Sequence, residues 1–213
     1  SKNENFEWET LAIDNNFYIP TYSGLPYIKT NKGSIKVNKV AIKNVCVKSF
    51  KLEGISQNML GGIVLNLQKY CQLTHKYIAP IYLVKNNIPK TKINNIEIVT
   101  EWYKTGSLYD TIRDSNKNKP FSVKGILRFS IQIVTAMMFL HEQNITHGYL
   151  KSRNILLDSN MNIKLTDIGL IPLKRCMSLI LSNVSFDGYW NDREYYMGSP
   201  ITHKCDIWAF GFI

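Results

Sequence analysis

The chain has 213 residues, 45% of them hydrophobic and 12% aromatic, which excludes intrinsic disorder and allows one ordinary domain or one two-lobed unit. Its net charge of +10 suits an anionic partner, but neither a basic run nor Arg–aromatic interleaving accompanies it, so we expect no nucleic-acid partner. The four cysteines form no C-x-x-C pair, which excludes a disulfide framework and a cysteine zinc site.

The N-terminal residues carry no signal-peptide pattern. Apolar stretches such as 129–140 contain polar residues and fall short of the ~18 residues that a membrane span needs. We therefore expect a cytoplasmic protein without membrane insertion. Residues 1–18 are polar with scattered aromatics and have no clear period, so we treat them as an N-terminal extension.

Alternation of apolar and polar residues over 27–50 predicts strands, with turns at 31–33 and 43–44. The tetrapeptide V-C-V-K that ends at Lys48 resembles the V-A-I-K of the third strand of protein kinases, whose Lys contacts the phosphates of ATP. Lys43 ends a literal V-A-I-K and is a rival candidate. We prefer Lys48, because it leaves enough preceding sequence for two strands.

Two features that accompany this lysine in active kinases are missing. Only Gly24 and Gly33 lie upstream, so no G-x-G-x-x-G phosphate loop can be written. The next predicted helix, at 58–73, places Asn66 where kinases have the Glu that pairs with the lysine, and no acidic residue occurs at 54–96. We therefore expect nucleotide binding to be weak or absent.

A strand predicted at 96–103 runs toward the hinge between lobes, with Thr100 at the gatekeeper position. Ser107 is the candidate N-cap of a short helix that ends near Asp114. Residues 122–142 form the strongest predicted helix of the chain. We expect its apolar stripe to lie in the core; the stripe consists of Val123, Ile126, Leu127, Ile131, Val134, Met138 and Leu140.

Residues 147–154, H-G-Y-L-K-S-R-N, have the spacing of the kinase catalytic loop H-R-D-L-x-x-x-N, and an Asp-Ile-Gly triplet beginning at Asp167 has that of D-F-G. Tyr149 replaces the Asp that accepts the substrate proton, and a phenol with a pKa near ~10 does this poorly at neutral pH. Asn154 and Asp167, two expected magnesium ligands, are kept.

We therefore expect a kinase fold that is not an enzyme, with no catalytic residue, no resident metal and no cofactor, while weak ATP and magnesium binding is left open. The residues of this degenerate nucleotide pocket are Lys48, Asn66, Thr100, Tyr149, Asn154 and Asp167. We read His147 as a packing residue near Asp206, not as a base.

Residues 192–194 stand where A-P-E ends a kinase activation loop, and D-I-W-A-F-G at 206–211 resembles the start of the central helix of the large lobe. The sequence therefore predicts an α+β, protein-kinase-like two-lobed fold. We expect an N-terminal extension at 1–18, a mainly β N-lobe at 19–104, and a mainly α C-lobe at 105–213 that is truncated.

From residue 19 onward the chain resembles the pseudokinase domain of the mixed-lineage kinase domain-like family, the executioners of necroptosis. Residues 45–52 are similar to that family's third strand. Residues 147–154 are similar to its H-G-x-[IL]-[KR]-S-x-N loop, which also lacks the catalytic Asp. The resemblance covers about nine-tenths of the chain.

The family permeabilises membranes through an N-terminal four-helix bundle, for which we expect no room before residue 19. It is activated by phosphorylation of a Thr-Ser pair ahead of Met-Ser-Leu, and here Arg175 and Cys176 precede that tripeptide. The resemblance thus implies a decoy like the truncated relatives of poxviruses, whose origin the Lys-, Asn- and Ile-rich composition fits. Such a decoy binds and sequesters host receptor-interacting protein kinase 3 in the host cytoplasm.

We place the partner-binding surface at an aromatic and Met cluster, Tyr195, Tyr196 and Met197, with internal support of the segment as the alternative role. Two other functions stay open: a divergent, weakly active serine/threonine kinase, and a basic nucleic-acid- or lipid-binding module. The oligomeric state is open too. If the large lobe lacks its last helices, the side of the 122–142 helix with Ile131 and Val134 needs another cover, which a second chain can supply.

Overall fold

The protein is described by a computed structural model that covers residues 11–19, 28–37, 41–53, 55–87, 93–114, 121–173, 175, 190–191, 193 and 197–213. The chain divides into two compact units. The first comprises residues 1–73, 80–102 and 175–183, and the second comprises 74–79, 103–174 and 184–213.

Within the described residues the first unit contains a five-stranded antiparallel sheet in the order β1-β2-β3-β5-β4. The strands are β1 Ala12–Ile19, β2 Ile28–Val37, β3 Ala41–Glu53, β4 Ile81–Asn87 and β5 Ile93–Glu101. The predicted strands at 27–50 are therefore present as β2 and β3. The turns predicted at 31–33 and 43–44 are wrong, since both strands run through these positions.

Gly33 lies inside β2 because another strand passes close to it. A Cβ at this position would lie 2.7 Å from the carbonyl oxygen of Ala12 in β1. The absence of a side chain lets β1 pair with β2 here. Beside this contact the sheet has a closely packed core, formed by Ile35, Val45, Val47 and Val99.

The first unit contains α1, Gln57–Tyr70, whose N-cap Ser56 accepts a hydrogen bond from the backbone N–H of Met59. Its buried side is formed by Leu60, Ile63, Val64 and Leu67. Gly61 and Gly62 lie inside the helix, and a Cβ on either would have no neighbour within 4 Å. The helix therefore tolerates two poor helix formers at sites where nothing requires them.

The described part of the second unit is mainly helical. Its elements are α2 Leu108–Arg113, α3 Val123–Glu142, a 3-10 turn Ser152–Asn154, β6 Ile155–Leu157, β7 Ile163–Leu165 and α4 His203–Phe210. Ser107 caps α2 in a reciprocal capping box with Asp110, as the sequence indicated for its N-terminus. Ser122 caps α3 by accepting from the N–H of Gly125.

The buried side of α3 is not the predicted one. Of the seven residues in the predicted stripe only Leu140 is buried, whereas Val123, Ile126, Leu127, Ile131, Val134 and Met138 are exposed. The helix packs through Phe129, Gln132, Ile133, Ala136, Met137 and Leu140. Because α3 is apolar nearly all round, the periodicity does not distinguish its two apolar stripes.

By length and composition α3 is also able to cross a membrane, since an 18-residue window within its 20 residues has a mean hydropathy of 1.5. This corrects the expectation that no apolar stretch is long enough, because the polar residues that interrupt it are mostly uncharged. One such helix is weak evidence for a span, as core helices of soluble proteins pass the same test.

Candidate functional site

The β6–β7 pair brings the two predicted magnesium ligands to one place in the second unit. Ile155 pairs with Leu165, and the N–H of Thr166 donates to the carbonyl oxygen of Asn154 at 3.0 Å. Asn154 directly precedes β6, and Asp167 is separated from the end of β7 by the single residue Thr166. Both side chains are therefore attached at the same end of the two-stranded ladder.

The side chain of Asn154 is fixed in orientation. It is buried, and its Nδ2 donates to the carbonyl oxygen of Tyr149 at 2.8 Å. The amide nitrogen is thus occupied, and Oδ1 is the atom left to coordinate a cation. Oxygen is the ligand that Mg²⁺ prefers, and magnesium commonly takes one or two protein oxygens and completes its shell with phosphates and water.

Asp167 has a backbone conformation that non-glycine residues rarely adopt, with φ at +67°. The turn after it is tied to the catalytic loop, because the N–H of Gly169 donates to the carbonyl oxygen of His147 at 3.3 Å. Strain of this kind is typical of functional sites. Asn154 and Asp167 thus fit a magnesium–phosphate group, although the described residues include no cluster of three or more His, Cys, Asp or Glu placed for a metal.

Asp206 anchors the catalytic loop from α4. Its carboxylate accepts from the N–H of His147 at 2.9 Å and from that of Gly148 at 2.7 Å, and Nε2 of His141 lies 2.8 Å from it. Gly148 has φ +70°, and a Cβ there would lie 3.1 Å from Ile171. The loop shape therefore needs both the carboxylate and a glycine.

His147 is fully enclosed, and this burial lowers its pKa, against smaller opposing effects of Asp206 and Asp167. Its Nδ1 accepts from the N–H of Tyr149 at 3.2 Å, so the proton of the neutral ring is on Nε2. Nε2 is buried with no partner among the described residues. The geometry agrees with a packing role next to Asp206 and offers no lone pair to a substrate.

Tyr149, which stands in the sequence where the kinase motif has its Asp, contacts a lysine. Nζ of Lys151 lies 2.7 Å from the Tyr149 hydroxyl and 4.3 Å from the ring centroid, and Lys151 is only 7% exposed. Lys151 was not among the predicted site residues. The sequence signal that could have identified it is the spacing of two residues between Tyr149 and Lys151, because residues i and i+2 of an extended segment project to the same side.

The remaining predicted pocket residues lie in the first unit. Lys48 lies in β3, opposite Thr30 and Ile98, and is half-buried. Thr100 is buried in β5, and Asn66 is exposed on α1, where it adds no charge. Their roles stay predictions.

Of the predicted partner-binding cluster, Tyr195 and Tyr196 lie outside the described residues. Met197 is described, and it is 71% exposed. This exposure makes it accessible, while its role stays a prediction.

Comparison with known proteins assigns the chain to a family. Residues 27–213 match the family model described as protein tyrosine and serine/threonine kinase. The chain belongs to the protein tyrosine and serine/threonine kinase family. Its α+β, kinase-like two-lobed fold class is therefore confirmed.

Several curated kinases are similar to this kinase-family chain. A probable serine/threonine-protein kinase of Dictyostelium discoideum is 30% identical over 182 residues, which cover 85% of this chain and 19% of that protein. The probable serine/threonine-protein kinase SIS8 of Arabidopsis thaliana is 33% identical over 209 residues, covering 97% and 18%. The serine/threonine/tyrosine-protein kinase HT1 of A. thaliana is 26% identical over 223 residues, covering 100% and 52%. The chain thus spans about a fifth to a half of these relatives' lengths.

These relatives contradict the expectation that the chain is not an enzyme. They are named as protein kinases and match at about 30% identity over most of the chain, which points to enzyme activity. The expectation rested on three missing features together, namely the carboxylate at position 149, an acidic residue on the helix that carries Asn66, and the G-x-G-x-x-G loop. Phosphoryl transfer depends chiefly on positioning and charge stabilisation, so missing motif residues are a weaker argument against activity than the match to named kinases is for it.

Proposed function

We propose that this kinase-family chain acts by binding: it captures host receptor-interacting protein kinase 3 in the host cytoplasm and so inhibits necroptosis. The support is the resemblance of residues 45–52 and 147–154 to mixed-lineage kinase domain-like proteins, and the presence of Arg175 and Cys176 where that family has its phosphorylated pair. A binding role needs a folded kinase domain and no particular rate of phosphoryl transfer.

One structural observation supports this proposal furthest, namely that side-chain hydrogen bonds hold the loop at 147–154 in a fixed shape. Asp206 accepts from two backbone N–H groups of the loop, and Asn154 donates to a third residue, Tyr149. A loop held in this way presents a fixed surface, which a binding role requires and which does not depend on phosphoryl transfer. Tyr149 at the same time replaces the carboxylate that contributes about 10²- to 10⁴-fold to proton transfer.

Capture of the purified kinase domain of receptor-interacting protein kinase 3 by the 213-residue chain tests the proposal. We expect Met197→Ala to weaken capture at least about fivefold if the proposed cluster contributes a binding anchor. Met59→Ala is the matched control, because Met59 is also an exposed methionine, at 49%, but lies on α1. Absence of capture by the unmodified chain contradicts the proposal, and equal effects of both variants contradict the placement at Met197.

A second candidate function is serine/threonine phosphoryl transfer. It is favoured by the juxtaposition of Asn154 and Asp167, by the buried Lys151 beside Tyr149, and by the names of the relatives. Transfer of labelled phosphate to a generic acceptor protein tests it. We expect Asn154→Ala to abolish the signal and Tyr149→Asp to raise it about tenfold or more, because a carboxylate base is restored.

A further inference from the structure

Two arginines of the second unit contact the ring of Tyr109. The guanidinium carbon of Arg153 lies 3.4 Å from the ring centroid, and that of Arg113 lies 5.0 Å from it. Both distances are within the ~6 Å at which a cation and an aromatic ring attract each other. The two guanidinium carbons are therefore at most 8.4 Å apart, the sum of these distances. One ring thus holds two positive charges next to each other, and a bound anion would offset their repulsion.

This stack joins two elements that backbone hydrogen bonds hold together. Arg153 lies in the 3-10 turn that precedes β6, whereas Tyr109 and Arg113 lie about one helical turn apart in α2. The N–H of Leu157 in β6 donates to the carbonyl oxygen of Gly106, just ahead of α2, at 3.0 Å. The two arginines are therefore attached to connected elements, and donors positioned before a ligand arrives cost less entropy on binding.

The chemistry of a stacked guanidinium pair favours a phosphate over a carboxylate. Stacking on a ring uses the face of a guanidinium and none of its N–H donors, which lie in its plane and form a fork that fits two oxygens of an anion. A carboxylate has only two oxygens, which one fork occupies. A phosphate monoester has a third strong acceptor oxygen, and N–H···O bonds of about 2.8 Å let it bridge guanidinium carbons roughly 8 Å apart.

The segment of α2 also carries two acidic residues, which limit the affinity for an anion. Asp110 is engaged in the capping box, where its Oδ2 accepts from the hydroxyl of Ser107 at 2.6 Å. Asp114 is the C-cap of α2 and directly follows Arg113. Because these carboxylates repel a phosphate, we expect a Kd on the order of 100 µM and not a tight complex.

We propose that Arg113 and Arg153, held by the ring of Tyr109, bind a phosphorylated side chain of a partner peptide. Clustered arginines are a recurring means of recognising phosphorylated peptides. A nucleic acid fits less well, because its backbone takes a row of phosphate contacts and the sequence has no basic run. This site goes beyond both functions proposed above, since neither capture of a kinase domain nor phosphoryl transfer assigns a role to these three residues.

Fluorescence anisotropy of the 213-residue chain with a labelled peptide tests the proposal. The probe is a short fluorescein-labelled peptide of Gly and Ala that carries one phosphothreonine. We expect it to bind at least about tenfold more tightly than the same peptide with unmodified threonine. A peptide with Glu in place of the phosphothreonine should bind nearly as weakly as the unmodified one, because a carboxylate occupies only one fork.

Lysine variants test whether the two arginines act together. Arg153→Lys and Arg113→Lys keep the charge but remove the fork, so each should raise the Kd for the phosphorylated peptide about tenfold. Arg128→Lys is the matched control, because Arg128 also lies near a ring, that of Phe129 at 5.2 Å, but donates to the carbonyl oxygen of Met161 at 2.9 Å. It should leave the Kd unchanged. Circular dichroism should show all three variants folded, since each keeps the charge and most of the side-chain stem.

Four outcomes overturn the proposal. The phosphorylated peptide binds no more tightly than the unmodified or the Glu peptide. Arg153→Lys or Arg113→Lys binds the phosphorylated peptide as Arg128→Lys does. Inorganic phosphate displaces the peptide at a concentration close to the peptide's own Kd, in which case the site takes free phosphate. Or a single-stranded oligonucleotide binds more tightly than the peptide and Arg153→Lys weakens that binding, in which case the site serves a nucleic acid.

Discussion

Replacement of Gly148 by alanine is expected to destabilise the second unit by about 2–5 kcal/mol. The first contribution is the backbone, since φ is +70° and a non-glycine residue costs about 1–2 kcal/mol in this region. The second is steric, because the new Cβ would lie 3.1 Å from Cγ1 of Ile171 and 3.3 Å from Cγ2 of Ile201. Overpacking of this kind typically costs about 1–3 kcal/mol.

Gly198→Ala separates the two contributions. Gly198 has nearly the same φ, +72°, but a Cβ there has no neighbour within 4 Å. This variant therefore reports the backbone cost alone, about 1–2 kcal/mol.

Thermal unfolding followed by circular dichroism measures the difference. For a chain of this size 1 kcal/mol corresponds to about 2–4 °C, so we expect Tm to fall by about 4–20 °C for Gly148→Ala and by about 2–8 °C for Gly198→Ala, with the larger loss at Gly148. Equal losses for the two variants would show that Ile171 and Ile201 yield without cost. A stable Gly148→Ala variant would refute the argument that the loop needs a glycine.

Three further predictions concern stability. Gly62→Ala in α1 should stabilise the first unit by about 0.5–1 kcal/mol, measured by urea unfolding, because it adds a helix former without a clash. Asp206→Asn should lower the free energy of unfolding by about 2–4 kcal/mol in the same assay, because three donors converge on the carboxylate. The amide that replaces it has only one oxygen, so its NH₂ group faces at least one of these donors and leaves that donor without an acceptor. Stability should also fall as pH drops below about 6.5, since the folded pKa of His147 lies below its unfolded value and the unfolded chain binds the proton first. The loss continues down to the folded pKa, and His147→Gln should flatten the Tm–pH curve over that window, while His75, whose pKa is also lowered by burial, contributes in the same direction.

Residue type and short-range pattern predicted the helix N-cap and the strands, which depend on neighbouring residues in the chain. Ser107 was identified as an N-cap from residue type and position, and it accepts the capping hydrogen bond from the N–H of Asp110. The alternation of apolar and polar residues over 27–50 likewise predicted strands, which are present as β2 and β3. Gly33 led to a wrongly predicted turn at 31–33. The glycine is needed instead for the close approach of Ala12 in β1, a residue 21 positions away in the chain.

Tertiary information decided the rest of the site. The kinase spacing located Asn154 and Asp167, and the register of β6 and β7 then placed them at one end of the ladder. The burial of α3 was not predictable from its sequence, because both of its stripes have helical periodicity. The contact between Lys151 and the hydroxyl of Tyr149 depends on side-chain direction, which spacing suggests and only geometry establishes.

The three hydrogen bonds of Asp206 also bear on when the catalytic loop can form. They join positions separated by 58, 59 and 65 residues in the chain. During synthesis the loop at His147 and Gly148 leaves the ribosome well before its acceptor exists. Its native shape must therefore wait for translation through residue 206, and the loop closes late in folding because its contacts are among the long-range ones.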